Sequence, residues 1–307
     1  MDENIKFIPD EDLIVHKAEF QALSQTANWG VDVCKIGEIW KTSRGKDVKV
    51  AVLDTGITPH VDLEGQWSTA FNCSADPDYS DGSSHGSHCA GIIAAVDNDQ
   101  GVIGVAPECT IIPIKVLNND GSGSYGAIMK GLRIAIDMKA DIISMSLGSS
   151  SQPPSGIHDL IKEASEKGIV VIAAAGNDGG KVNYPAAYDE VIAVGALDKN
   201  GNLAHFSSRG DQIKSVAPGV DIFSTIPTNA YGMMSGTSQA CPFVAGICAL
   251  LLSHSRTNPT AKPILNYIDM LRALDEVCDN GKYITTGDAI NWGFGVPTGA
   301  NIDWKNL

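Results

Sequence analysis

From about residue 48 onward, short runs of apolar residues alternate with longer stretches in which apolar and polar positions recur at helical spacing. VKVAVLD (48–54), IIPIKVL (111–117), ADIISMSLG (140–148), GIVVIAAAGN (168–177) and EVIAVGAL (190–197) are Val/Ile-rich, and most end at or near Gly, Asn or Asp. Near-continuous apolar runs of that length mark strands covered on both faces, as in a parallel sheet between helices. The stretches 126–140, 158–168 and 238–254 predict the intervening helices. The last is apolar nearly all round, which predicts a buried helix, with Pro242 near its first turn where a missing N–H costs least. Strand and helix alternate, so the fold class is α/β, a three-layer doubly wound and mostly parallel sheet with helices on both faces. Residues 1–23 are polar and acidic and fall outside this rhythm, which divides the chain into an N-terminal extension (1–23) and one main domain (24–307).

Composition narrows the classes. A chain of 307 residues, 43% hydrophobic and 19% charged, can bury a sizeable core. Its net charge of −14 argues against nucleic acid as a partner, because phosphate binding needs clustered Lys and Arg. The start, MDENIKFIPDEDLIVHKAEF, has no basic leader or long apolar run, and no stretch is read as the roughly 18 apolar residues of a membrane span. Seven scattered cysteines without a CxxC pair fit a reducing compartment, and the cytoplasm is the expected location.

In open α/β sheets, chemistry gathers at the carboxyl ends of strands. Asp54 closes VKVAVLD, His85 opens the helical stretch HGSHCAGIIAAV, and Ser238 lies in SGTSQACP at the start of the buried helix. A serine hydroxyl needs a base within hydrogen-bond reach, a neutral histidine can supply it, and a buried carboxylate fixes that histidine's tautomer. Asn177, at the end of AAAGN, offers an amide donor for a developing oxyanion. The spacing of His85, His88 and Cys89 by itself also allows a metal cluster on one helix face.

VAVLDTGI, HGSHCAG and SGTSQACP, in the order Asp, His, Ser and with AAAGN between the last two, resemble the subtilases, the subtilisin-like serine proteases. The resemblance runs from about Gln25 to about Asp303. It implies a serine endopeptidase in which Asp54 orients His85, His85 is base and acid, and Ser238 attacks the carbonyl. It makes Asn177 and the Ser238 N–H the oxyanion hole, with Thr237 supporting them. His88 and Cys89 then become packing residues, and zinc is set aside, since it would occupy the base that the serine needs. An extended protein or peptide substrate is implied between Gly121, Ser122, Gly123 and Tyr125 on one side and Ser146, Leu147 and Gly148 on the other. Such backbone pairing tolerates many sequences and so implies broad specificity. Tyr125, Ile128 and Leu147 are implied to line an apolar pocket, while Ala174, Ala175 and Gly176 wall the first specificity pocket, with Asn183 where a glycine often floors it.

The same resemblance implies a Ca²⁺ site in AAVDNDQGVIGVAP, with Gln25, Asp62 and Asn98 as side-chain ligands and Val96, Gln100 and Val102 as carbonyl ligands. The short N-terminal extension is most similar to that of the intracellular subtilisins. This implies an intracellular zymogen in which Phe7-Ile8-Pro9-Asp10 blocks the cleft, Pro9 holding the backbone out of attack geometry. Intracellular relatives also allow a homodimer, though no dimer surface is legible.

Overall fold

The computed structural model describes the backbone of residues 4–6 and the whole of residues 24–278 and 295–298. In chain order, the first elements are β1 (Asn4–Lys6), β2 (Thr26–Ala27), α1 (Trp29–Val33), α2 (Ile36–Ile39), β3 (Lys49–Asp54), β4 (Phe71–Asn72) and α3 (His85–Ala94). There follow β5 (Val102–Ile103), β6 (Thr110–Lys115), β7 (Ser122–Ser124), α4 (Tyr125–Asp137), β8 (Ile142–Met145), α5 (Ser155–Glu166), β9 (Val170–Ala174) and β10 (Val191–Leu197). The last are β11 (Ile213–Pro218), β12 (Ile222–Ile226), β13 (Ala230–Met234), α6 (Thr237–Thr257) and α7 (Tyr267–Val277).

Seven strands form one sheet in the order β11-β10-β9-β8-β3-β6-β4, every neighbouring pair parallel. The five apolar runs of the sequence are its five central strands, β6, β3, β8, β9 and β10. Their side chains are buried at nearly every position, as expected for strands covered on both sides. The core joins them to α3, α4, α5 and α6 in one cluster. Helix α6 is long and apolar enough to pass a membrane-span test, so one stretch does exceed what the sequence reading allowed. Its residues Thr237–His254 are all buried in the core, packed against α3 and strands β8 to β11, which accounts for its composition.

Pro242 is the sixth residue of α6, a little further in than expected. Having no N–H, it leaves the carbonyl of Ser238, four residues earlier, without its helical donor. That carbonyl instead accepts the Ser146 hydroxyl at 2.8 Å and the Cys89 thiol at 3.5 Å. All seven cysteines are free thiols.

Of the N-terminal extension only β1 is described. It pairs antiparallel with β7 in the register Asn4↔Ser124, Ile5↔Gly123, Lys6↔Ser122. Phe7-Ile8-Pro9-Asp10 lie outside the described residues.

Candidate active site

Asp54 is the last residue of β3, and its side chain is 1% exposed. Its Oδ1 accepts the Thr55 N–H at 2.7 Å and meets His85 Nδ1 at 2.7 Å. Since the carboxylate can only accept, His85 carries its proton on Nδ1 and keeps Nε2 as the basic nitrogen. His85 can sit so near because α3 starts against the turn after Asp54. A Cβ on Gly86 would lie 2.2 Å from the carbonyl oxygen of Gly56, so only glycine lets the helix approach.

The start of α3 has no capping side chain at Ser84 itself. Asp81 caps it from three residues upstream, its Oδ1 accepting from the N–H groups of Ser83 and Ser84 (3.0 and 2.9 Å) and its Oδ2 from Ser87 (2.8 Å). The Thr55 hydroxyl donates to Asp81 Oδ1 at 2.8 Å and accepts the Gly86 N–H at 2.9 Å, tying the aspartate turn to the histidine helix. Sequence reasoning passed over Asp81; the available signal was an acid just ahead of a helix start.

Burial disfavours the imidazolium of His85. The charge and hydrogen bond of Asp54, with a smaller contribution from Cys89, outweigh this and hold the pKa well above its usual value. A general base at His85 would have to be neutral, so kcat/KM would then be expected to rise with pH through a midpoint above about 6.5, the ordinary histidine value. In Asp54→Asn the raising charge is gone and burial remains, so the residual activity should show a midpoint below that value. A pH–rate profile with an acid limb at or below it in the wild type would contradict this account.

His88 has a different environment. Its Nε2 lies 3.0 Å from Ile222 O and 3.2 Å from Gly232 O, and burial lowers its pKa to about 3. It is a neutral core residue that docks α3 on the β12–β13 hairpin. Cys89 is fully buried, with Sγ 3.9 Å from His85 Nδ1. Among the described residues, Asp54, His85 and Cys89 place ligand atoms within 4.8 Å of one another, and this metal-compatible cluster does not include His88.

Ser238 is the second residue of α6 and fully buried; its hydroxyl donates weakly to Ser146 O at 3.4 Å. Asn177, three residues beyond β9, is bonded to the residue preceding Ser238, Thr237. Its Oδ1 accepts both the N–H and the hydroxyl of Thr237, each at 2.8 Å, which makes the amino group the outward side of that amide. The Thr237 hydroxyl in turn accepts the Gly176 N–H at 3.1 Å.

The residues expected to hold substrate lie in or beside β7, at the start of α4 and at the ends of β8 and β9. Ser122 and Gly123 lie in β7, which follows Gly121, and Tyr125 opens α4; Ser146, Leu147 and Gly148 follow β8. Tyr125, Ile128 and Leu147 belong to the main core cluster. Ala174 and Ala175 are fully buried at the end of β9. Gly176 has φ +124°, and a Cβ there would meet Ser208 Oγ at 2.4 Å and Asn183 Nδ2 at 2.8 Å. The Asn183 side chain thus lies directly against the predicted wall of the first pocket.

The predicted cation ligands also converge. Asp62 is fully buried, its Oδ1 bonded to Asn98 Nδ2 (3.1 Å) and its Oδ2 to the Val102 N–H (2.7 Å) and the Tyr231 hydroxyl (2.9 Å). Gln25 Nε2 lies 2.9 Å from Val96 O and 3.4 Å from Val102 O, and the Gln100 N–H binds Asn98 Oδ1 at 3.1 Å. The carboxylate of Asp62, the amides of Gln25 and Asn98 and the carbonyls of Val96 and Val102 are of the kinds of hard-oxygen donor that Ca²⁺ takes. Tyr231 is a neighbour that the sequence did not reveal.

The sequence profile of the subtilase family matches residues 45–268, most of the chain. The chain belongs to the subtilase family. It is 44% identical over 237 residues to subtilisin DY of Bacillus licheniformis, covering 75% of this chain and 86% of that protein. It is 41% identical over 254 residues to an intracellular serine protease of Paenibacillus polymyxa, with 77% of this chain and 78% of the relative covered. With the major intracellular serine protease of Bacillus subtilis strain 168 it shares 44% identity over 239 residues, covering 73% and 75%. This chain is a subtilisin-like serine endopeptidase, a hydrolase of peptide bonds in proteins.

Proposed function

We propose that catalysis runs through Asp54, His85 and Ser238, a reading supported above all by the 2.7 Å contact of two fully buried groups, Asp54 Oδ1 and His85 Nδ1. Ser238 Oγ attacks the scissile carbonyl as His85 Nε2 takes its proton, giving a tetrahedral intermediate. The Asn177 amino group and the Ser238 N–H hold the oxyanion, with Thr237 bracing the asparagine. His85 returns the proton to the leaving amine as the C–N bond breaks, leaving an acyl-Ser238 ester. Water, deprotonated by the same nitrogen, then cleaves the ester. Asp54 remains ionised throughout and stabilises the imidazolium. Casein hydrolysis tests the reading, and loss of this activity on changing Ser238 should be near total.

Substrate is held as an extended strand by Gly121–Gly123 and Ser146–Gly148, so recognition is largely through backbone and specificity is broad. Tyr125, Ile128 and Leu147 would line an apolar pocket on this strand. Ala174, Ala175 and Gly176 line the pocket for the residue before the cut, bounded by Asn183.

Ca²⁺ would be held by the side chains of Gln25, Asp62 and Asn98 and the carbonyls of Val96, Gln100 and Val102. It would cross-link the segment before β2, the loop holding Asp62 and the loop after α3, and its contribution is stability rather than chemistry. At a free ion concentration about a thousandfold above Kd, such a site stabilises by about 4 kcal/mol. Chelation should then lower Tm by roughly 10 °C, given about 2–4 °C per kcal/mol for a domain of this size. Asp62→Asn should show the lower Tm with or without chelator. A wild-type Tm indifferent to chelation would remove calcium from the account.

The extension 1–23 acts as an inhibitory segment, removed to release the main domain 24–307. Its support is the pairing of β1 along β7, one of the two strands assigned to substrate. The names of two relatives, both intracellular serine proteases, favour the cytoplasm, as do the seven free thiols. A homodimer is the remaining assembly to test, by sedimentation.

A further inference from the structure

Lys115 ends β6 and is fully buried. A buried ammonium is retained only where its protons are met by acceptors. Lys115 Nζ has three acceptors: the carbonyl oxygen of Thr55, Asn119 Oδ1 at 2.8 Å, and Asp76 Oδ2 at 3.0 Å.

Each acceptor belongs to a different piece of the site. Thr55 directly follows Asp54, which the sheet places opposite Lys115 in register. Asp76 lies in the loop that leads to His85. Asn119 belongs to the turn that opens β7. The three pieces are also bonded to one another around the lysine. Asn119 Oδ1 accepts the Gly82 N–H at 2.9 Å, and its own N–H donates to Asp76 Oδ2 at 2.8 Å. Asn118 Oδ1 accepts the Ala75 N–H at 3.0 Å, and the Asn118 N–H donates to the carbonyl of Ser122 at 2.7 Å. From Thr55 the network continues through its hydroxyl to Asp81 and Gly86 at the head of α3.

We propose that Lys115 is a positioning residue for catalysis. It fixes the Asp54–Thr55 turn and the approach to His85 in one register with the substrate strand β7. Stability alone does not account for a charge here, because replacing a whole buried ion pair by well-packed apolar side chains is often neutral or stabilising. What an apolar chain cannot supply is three directed protons that hold three loops at fixed distances, and misplacement of about 1 Å at a reacting group costs on the order of 100-fold in rate. The proposal rests on the Asp54–His85–Ser238 reading.

The test compares the full-length chain, before and after its N-terminal segment is released by limited proteolysis, with active sites titrated by a sulfonyl fluoride. Lys115→Met is expected to lower kcat about 10- to 100-fold with KM changed less than about twofold, the mark of an interaction realised in the transition state. In an Asp54→Asn background the same substitution should lower kcat by no more than about threefold, because groups acting as a unit are not additive. Asn119→Ala, at an exposed position, should lower kcat by about 3- to 10-fold for the same reason. The proposal is overturned if Lys115→Met keeps kcat within twofold of wild type, or if its loss is as large with Asp54→Asn as without it. If Lys115→Met does not accumulate as folded protein, an Asn119→Ala protein with wild-type kcat overturns it instead. Wild-type turnover by Asp54→Asn would mark a different failure, that of the triad reading itself.

Discussion

Ser238→Ala is expected to hydrolyse casein with kcat about 10⁶-fold below wild type and KM little altered, a magnitude known for the corresponding change in subtilisin and carried over with the triad. The physical reason is that the methyl group has no lone pair to form the acyl ester, while everything that binds substrate remains. Asn177 and the N–H of residue 238 would still stabilise an oxyanion formed by attacking water, so a residual acceleration of about 10³–10⁴ over the uncatalysed reaction should survive. The fold should be indifferent. Ser238 lies in a helix of Ala-rich packing, and its hydroxyl makes only a 3.4 Å contact with Ser146 O, so removing it breaks no strong bond. Far-ultraviolet circular dichroism and Tm matching the wild type, beside abolished hydrolysis, give the expected pair of results. Turnover within tenfold of wild type would mean that another group carries the nucleophile's role.

The part of the fold that could be read in advance is the part whose side chains have only one kind of neighbour. β3, β6, β8, β9 and β10 lie inside the sheet between helices, so nearly all of their positions are buried, most of them apolar, and the runs stand out. β11, IKSVAP, sits at the sheet edge, where Lys214 and Ser215 interrupt the run, and β4 is two residues long; neither carries a signal of its own. Helix α7, YIDMLRALDEV, exposes half of its surface, including Ile268 at 67%, and this weakens the contrast that marks a buried helix. The candidate site divides similarly. Asp54, His85, Asn177 and Ser238 each stand beside a Gly or Thr turn in a distinctive local string, and motifs of that kind survive without knowledge of contacts. Asp81, Lys115 and Tyr231 act across 26, 60 and 169 residues of chain, on Thr55 and Asp62, and no local pattern announces such pairings. Lys115 in particular reads as an interruption of IIPIKVL until the structure places three acceptors around its ammonium.

Deleting residues 1–23 is expected to raise the initial rate of peptide hydrolysis about 100-fold over the intact, uncleaved chain. β1 runs antiparallel to β7, and Ile5 stands opposite Gly123, so the extension already uses the edge that a substrate strand would need. Edge pairing is exclusive, since one edge of β7 can pair with only one strand at a time. A short strand held by a few backbone hydrogen bonds binds weakly as a free peptide, with Kd on the order of 10 μM for a segment of this length. Tethered to the same chain it acts at an effective concentration on the order of 1 mM, which fills the edge about 99% of the time and leaves roughly 1% of the activity. The same arithmetic predicts that a synthetic peptide of residues 1–23 added to the truncated enzyme inhibits at roughly 10 μM rather than nanomolar concentration, competitively with substrate. Equal rates with and without residues 1–23, measured on uncleaved protein, would show that the β1–β7 pairing does not govern access to the cleft.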